Sequence, residues 1–337
     1  MKKYTQVLKF SMVAVLLAFL LSSCHFNQKV KIGFLLSSLQ DDRYKKEKAL
    51  FIDHLREQGG EPIVYSAELD DKLQITQAEQ CIAQGAKVLV VNSVNLNTAA
   101  AIVRTAHENG VKVIAYDRMI FNCDLDYYVS FSGEKIGQLM ASYATKVKQD
   151  GNYILLGGDK ADLNASLVKN GQLSVLNPLI NSGKIKIVLN VFVEDWSAVN
   201  AYKQIKRYID LTGENPDAIL ASNDGMASGA IDALKEYNLA GSVIVTGQDA
   251  QLQSCRDIVQ GYQTMTIYKS SKSLVFKAIE LAIKISKNDK ITDANSTINN
   301  GFKEVPSILL EPVSVDKNNI KSTVVADGYL KEDEIYK

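Results

Sequence analysis

Strand-like and helix-like stretches alternate along this chain in short, evenly paced units, and the alternation is run through twice. VKIGFLL at 30–36 is apolar enough for a buried strand. The following YKKEKALFIDHLREQG places Tyr44, Lys48, Phe51 and Leu55 at helical spacing before Gly59 and Gly60 end the run. PIVYSA reads as a second strand, and ITQAEQCIAQG as a helix whose Ile75, Ala78 and Ile82 share a face. KVLVVNS, TAAAIVRTAHENG and VKVIAYD continue the pattern, DYYVSF adds a strand without a long helix before it, and a helix starts near Gly133. Strand, helix, strand at this pace predicts a parallel sheet covered by helices on both faces.

The pattern then begins again with NYILLGG, KNGQLSVLNPLI, KIKIVLNVF, NAYKQIKRYIDL, DAILASND, MASGAIDALKEYN, SVIVTGQD and QLQSCRDIVQG. A chain of 337 residues is long enough for two domains of ordinary size, so two α/β lobes are expected rather than one long sheet. TMTIYK, the helix KSLVFKAIELAIKIS and the strand-like VPSILLEPVSV are left over. A leftover helix can return to the first lobe, which predicts several crossings and a cleft between lobes.

Residues 1–24, MKKYTQVLKFSMVAVLLAFLLSSC, have the basic start, apolar middle and small-residue end of a secretory signal. LSSC at 21–24 looks like a bacterial lipoprotein box, which implies cleavage before Cys24, lipid on its sulfur, and HFNQK as the tether. Cys81, Cys123 and Cys255 are too few, too scattered and odd in number for a disulfide framework, so isolated buried thiols are expected, a single bridge being the alternative. No HExxH or Cys/His cluster predicts a metal site, and His54 and His107 read as solvated surface residues. Basic and acidic side chains balance at 38 each, so nothing favours nucleic acid.

Ligands of open α/β sheets bind beyond the carboxyl ends of the strands. There the sequence sets Asp117 and Arg118 after VKVIAY, Asn223 and Asp224 after AILAS, Gln248 and Asp249 after VIVTG, and Lys269 after TMTIY. Asp and Asn after a strand also commonly cap the next helix, a competing role for Asp224 above all and for Asn223 and Asp249. Arg118 has no acceptor to cap with, and its alternative is a surface ion pair. Carboxylates, a guanidinium, amides and an ammonium suit a small neutral polyol: hydroxyls donate to the acids and accept from the cations. Trp196, the single tryptophan, lies between a strand and a helix, where it can stack on a ligand or pack at the hinge; Tyr44 is a candidate opposite face or a helix-packing residue. No GxGxxG, GxxxxGK[ST] or GxSxG occurs. Asp117 and Asp249 could act as a glycoside-hydrolysing pair, but a binding role needs fewer assumptions.

AYDRMI, GNYILLGGDKADLNA, ASNDGMASGAI, TGQDA, QTMTIYK and NNGFKEVPSILLEP together resemble the periplasmic sugar-binding proteins of type I fold, from KIGFLL to the carboxyl terminus. The resemblance implies two Rossmann-like lobes with parallel sheets joined by a multi-crossing hinge. Residues 30–132 with about 268–298 would form the amino-terminal lobe, and 133–267 with about 299–333 the carboxy-terminal lobe. It implies a pocket of Arg43, Tyr44, Asp117, Arg118, Asn164, Trp196, Asn223, Asp249 and Lys269, of which Arg43 and Asn164 come from the resemblance alone.

The implied function is non-catalytic capture of a monosaccharide, D-xylose or a related aldopentose, by a monomer needing no cofactor or metal. The implied partner is the membrane permease of an ABC importer, with a membrane kinase or chemoreceptor as the alternative. Ser37 and Ser38 stand where relatives of this kind usually have an acidic pair, Tyr44 where they have Trp, and Leu163 where a second Asn is common. Arabinose, ribose or a small hexose therefore remain alternatives to xylose. Lipid on Cys24 would hold the protein at the periplasmic face of the inner or the outer membrane.

Overall fold

The computed structural model describes residues 29–40 and 42–337, in which the alternation closes into two sheets. In the first, Lys31–Leu36 (β1), Glu61–Ser66 (β2), Val88–Val91 (β3), Lys112–Tyr116 (β4) and Tyr127–Phe131 (β5) lie parallel in the order β2-β1-β3-β4-β5. In the second, Gly151–Gly157 (β6), Ile185–Phe192 (β7), Ala218–Ala221 (β8), Ile244–Gln248 (β9) and Met265–Tyr268 (β10) repeat that order as β7-β6-β8-β9-β10. Both lobes thus reverse strand order between their first and third strands, the place where an open sheet leaves a crevice at its carboxyl edge. VLVV of β3 and AILA of β8 are buried throughout, as strands covered on both faces must be.

The covering helices are Asp42–Glu57 (α1), Asp71–Ala83 (α2) and Ala100–Glu108 (α3) in the first lobe. Gly133–Val147 (α4), Leu163–Asn181 (α5), Ala198–Thr212 (α6), Asp224–Glu236 (α7) and Leu252–Gln260 (α8) follow in the second. Ser271–Ser286 (α9) then returns to pack on α1 and the first sheet, as the leftover helix predicts.

VPSILLEPVSV is not one strand. Glu304–Leu310 (β12) joins the first sheet beside β5, and Val313–Val315 (β13) joins the second, antiparallel to β10. Pro312 falls between them, where a residue without an N–H interrupts a ladder. Ser296–Asn299 (β11), a short polar strand unseen in the sequence, pairs antiparallel with β12. The expected start of the final carboxy-terminal segment at about 299 is therefore too early: the chain stays in the first lobe through Leu310. It crosses between lobes three times, after β5, after β10 and after β12.

Cys81, Cys123 and Cys255 are buried and free. The histidines depart from their expected place in solvent. His54 stacks on Phe276 at 3.6 Å between ring centroids, and His107 Nε2 lies 2.7 Å from Asp126 Oδ2, so both rings are partly buried. The signal segment and Cys24 lie outside the described residues.

Candidate ligand-binding site

A cavity of about 400 Å³ lies between the lobes, and all nine side chains expected from the sequence line it. The first lobe contributes Arg43 and Tyr44 from the start of α1, and Asp117 and Arg118 from the end of β4. The second contributes Asn164 from α5, Trp196 from the turn after β7, Asn223 and Asp249 from the ends of β8 and β9, and Lys269 from the crossing after β10.

On the first lobe the polar groups interlock. Arg43 places Nη1 3.3 Å from Asp117 Oδ2 and Nη2 3.2 Å from Oδ1, while its Nε donates to Glu47 Oε1 at 2.7 Å. The Tyr44 hydroxyl donates to Asp117 Oδ2 at 3.2 Å and lies 3.4 Å from Asn92 Nδ2. Asn92 Oδ1 accepts from the Ser37 hydroxyl at 2.6 Å, so the serine of the first loop braces the next strand end. Asp117 adopts φ 64°, and its carbonyl accepts from the Tyr128 and Ser130 hydroxyls at 2.9 and 3.1 Å. That bonding holds a conformation residues with a Cβ rarely take. Burial would raise the Asp117 carboxyl, but Arg43 and Lys269 outweigh it and hold the group well below the usual carboxylate range. Burial raises Glu47, with Arg43 opposing.

The second lobe uses turns instead. Asp195 and Trp196 take φ 56° and 54°, with the Asp195 amide bonded to Asp159 Oδ2 at 2.8 Å. The indole lies flat on Gly158, where a Cβ would come within 2.2 Å of Trp196 Cζ2. Asn223 is the N-cap of α7, its Oδ1 accepting from the Met226 amide at 2.8 Å; capping thus falls on Asn223, not Asp224, and Asn223 still faces the cavity. Lys269 Nζ lies 2.8 Å from Asp249 Oδ1, yet that buried oxygen has no aligned donor. The ion pair therefore leaves hydrogen-bonding capacity at Asp249.

Three contacts among the described residues join the two walls. Arg43 Nη1 reaches to 3.9 Å from Asp249 Oδ1, Arg118 Nε to 3.9 Å from Asp162 Oδ2, and Asn164 Nδ2 donates to the Asp117 carbonyl at 3.2 Å. Burial raises Asp162, opposed by Arg118. Arg118 is in an ion pair, as its alternative reading has it, but inside the cleft and not on an outer surface.

The family described as periplasmic binding protein domain matches residues 32–290. The chain belongs to this family of periplasmic binding proteins. It is 44% identical over 315 residues to the D-xylose-binding periplasmic protein of Haemophilus influenzae, covering 94% of each chain. It is 41% identical over 308 residues to the protein of the same name from Escherichia coli, covering 91% of this chain and 93% of that one. Among solved structures, an ABC transporter solute binding protein from Clostridium phytofermentans with bound beta-D-glucose superposes with a TM-score of 0.82. That match has 28% identity and covers 90% of this chain and 99% of the other. This periplasmic binding protein is a type I sugar-binding component of ABC transport and not an enzyme.

Several lining residues of the binding protein escape sequence reading. Phe131, Ile136 and Val168 form apolar wall, and Gln40, Asp162 and Gln251 add polar groups. Phe131 ends a strand, where only its position could have marked it; the others sit in helices or loops with no distinguishing pattern.

Proposed function

We propose that this binding protein encloses D-xylose or a related aldopentose between its lobes, without altering it, for delivery to an ABC importer. The observation that carries this reading is the facing of Asp117 and Asp249 across the cleft, each beside cations. Sugar hydroxyls donate to the carboxylates and accept from Arg43, Arg118, Asn164, Asn223 and Lys269, and Trp196 covers the apolar face of the ring. Two relatives more than 40% identical over nine-tenths of the chain are named for D-xylose, which supports the pentose assignment. Calorimetry against a panel of pentoses and hexoses tests it: heat with D-xylose or another aldopentose is expected, and none with any sugar overturns it.

Cys24 carries lipid in this reading, and the receptor works as a monomer tethered to a membrane at its periplasmic face. Two or more acyl chains would hold it there firmly. Fractionation of cells expressing wild type and Cys24→Ala tests the anchor: the wild type is expected with membranes and the variant in the soluble fraction. Equal partition into the soluble fraction overturns it.

A further inference from the structure

Behind the second wall of the cleft lies a carboxylate that does not line it. Asp224, the first residue of α7, is fully buried. Its Oδ2 accepts from the Gln251 amide at 2.8 Å, and its Oδ1 accepts from Gln263 Nε2 at 2.9 Å and from the Thr266 hydroxyl at 2.8 Å. The Thr266 oxygen in turn accepts from the Ala250 amide at 3.3 Å. Both amides belong to the turn between β9 and α8, which carries Asp249 and Gln251 into the cavity. Asp249 and Ala250 adopt φ 98° and 48°, conformations that residues with a Cβ keep only where surrounding bonds over-determine them. Gly247 leaves the room required: a Cβ there would lie 2.1 Å from Asp224 Oδ1.

We propose that Asp224 is a positioning residue for sugar binding, clamping the left-handed turn at 249–251 so that Asp249 and Gln251 stand where the ligand meets them. The proposal rests on the reading of the cleft as a monosaccharide site. The clamp is complete with the ionised carboxylate, which only accepts and meets three donors. A proton on Oδ2 sets a donor against the Gln251 amide, and one on Oδ1 opposes Gln263 Nε2 or turns the Thr266 hydroxyl from donor to acceptor, so either disturbs the clamp. Burial pushes this carboxyl up to about 7, with the Asp249 charge adding and the bonds from Gln263, Gln251 and Thr266 opposing. The titratable groups facing it are Asp249 at the end of β9, paired with Lys269, and Cys255 on α8, whose thiol is pushed well above its usual range by burial and by Asp224. As pH falls through about 7, Asp224 takes up a proton, the turn loosens and affinity drops.

The test is calorimetric titration with D-xylose from about pH 6 to about pH 8, on wild type, Asp224→Asn and Thr266→Val. Wild type is expected to weaken several-fold as pH falls. Asp224→Asn should bind roughly tenfold more weakly at the upper pH and show no further step, since its amide cannot accept from all three donors. Thr266→Val keeps the carboxylate but cuts the link to Ala250, and should be intermediate with the step retained. Amide hydrogen exchange of the unliganded protein reads the turn directly, and 249–251 should exchange faster in both variants. Wild-type affinity, pH profile and exchange in both variants would overturn the positioning role. A wild type that takes up no sugar overturns the reading of the cleft instead, while the exchange rates still decide on the clamp. If Asp224→Asn does not fold, Thr266→Val carries the comparison alone.

Discussion

The two walls of the cleft hold their polar groups by different means. On the first lobe, Arg43, Glu47 and Asp117 form a lattice of mutual charge and hydrogen bonding to which Tyr44 links Asn92, with Arg43 and Asp117 each only 6% exposed. On the second, Asn223, Asp249 and Trp196 are individually held by a helix cap and two left-handed turns, and are partly open to the cleft. The first wall is fixed by electrostatics in a low-dielectric setting, where each charge depends on its neighbours. The second relies more on backbone geometry, and there only Asp249 is tied to neighbouring charges, so Asn223 and Trp196 should be separable. Substitutions on the first wall should reach beyond binding into stability, and those on the second should change affinity with little effect on the fold.

Arg43→Ala breaks the lattice most completely, because it removes the cation that lies between the buried Glu47 and Asp117 carboxylates. A stability loss of about 3–5 kcal/mol in denaturant unfolding is expected, together with undetectable sugar binding. A normally stable variant would show that the lattice is not cooperative. Asp117→Asn should weaken sugar affinity by roughly ten- to a hundredfold in calorimetry, as expected for hydrogen bonds to a charged group. It should also change the acid response. Arg43 and Lys269 hold the folded Asp117 below its unfolded value, so its contribution to stability is present above the ordinary carboxylate range and is lost as pH falls beneath it. Acid unfolding of wild type should be steeper than that of the variant.

On the other wall, Trp196→Ala should cost about 0.5–1.5 kcal/mol of affinity, up to roughly tenfold, with unfolding unchanged. Because the chain has one tryptophan, wild-type emission should change on titration with the sugar. An unchanged spectrum would remove Trp196 from the ligand's surroundings. Tyr44→Phe is the mildest probe. It deletes one bond to Asp117 and should weaken binding by about 1 kcal/mol, provided that Arg43 keeps the carboxylate in place.

Much of this arrangement is legible in the sequence, for identifiable reasons. Asp117, Asn223, Asp249 and Lys269 each end an apolar strand abruptly, and the position alone marks them. Glu47 does not show itself: within YKKEK it looks like a solvated helical charge, and only the approach of α9 reveals that it is buried and accepts from the Ser271 hydroxyl at 2.9 Å. Asp224 reads as a cap because the preference for Asp at a helix start is local, whereas its partners Gln263 and Thr266 lie about forty residues away. The strand β11 and the split of β12 from β13 fail for the same cause. Short polar STIN has no period to detect, and sheet membership is decided by neighbours distant in the chain.

The pairing of β12 with β5 joins Ser307 to Tyr128 and Leu310 to Phe131. On a ribosome adding about 5–20 residues per second, β5 therefore waits on the order of ten seconds or more with one edge bare. Neither sheet is complete until β12 and β13 have been made, since β12 pairs with β5 in the first and β13 closes the second. Pairings so far apart in sequence also form slowly. Late closure leaves both sheets unfinished for most of the chain's synthesis, so any part of a periplasmic protein that crosses the membrane during that time crosses without a completed fold.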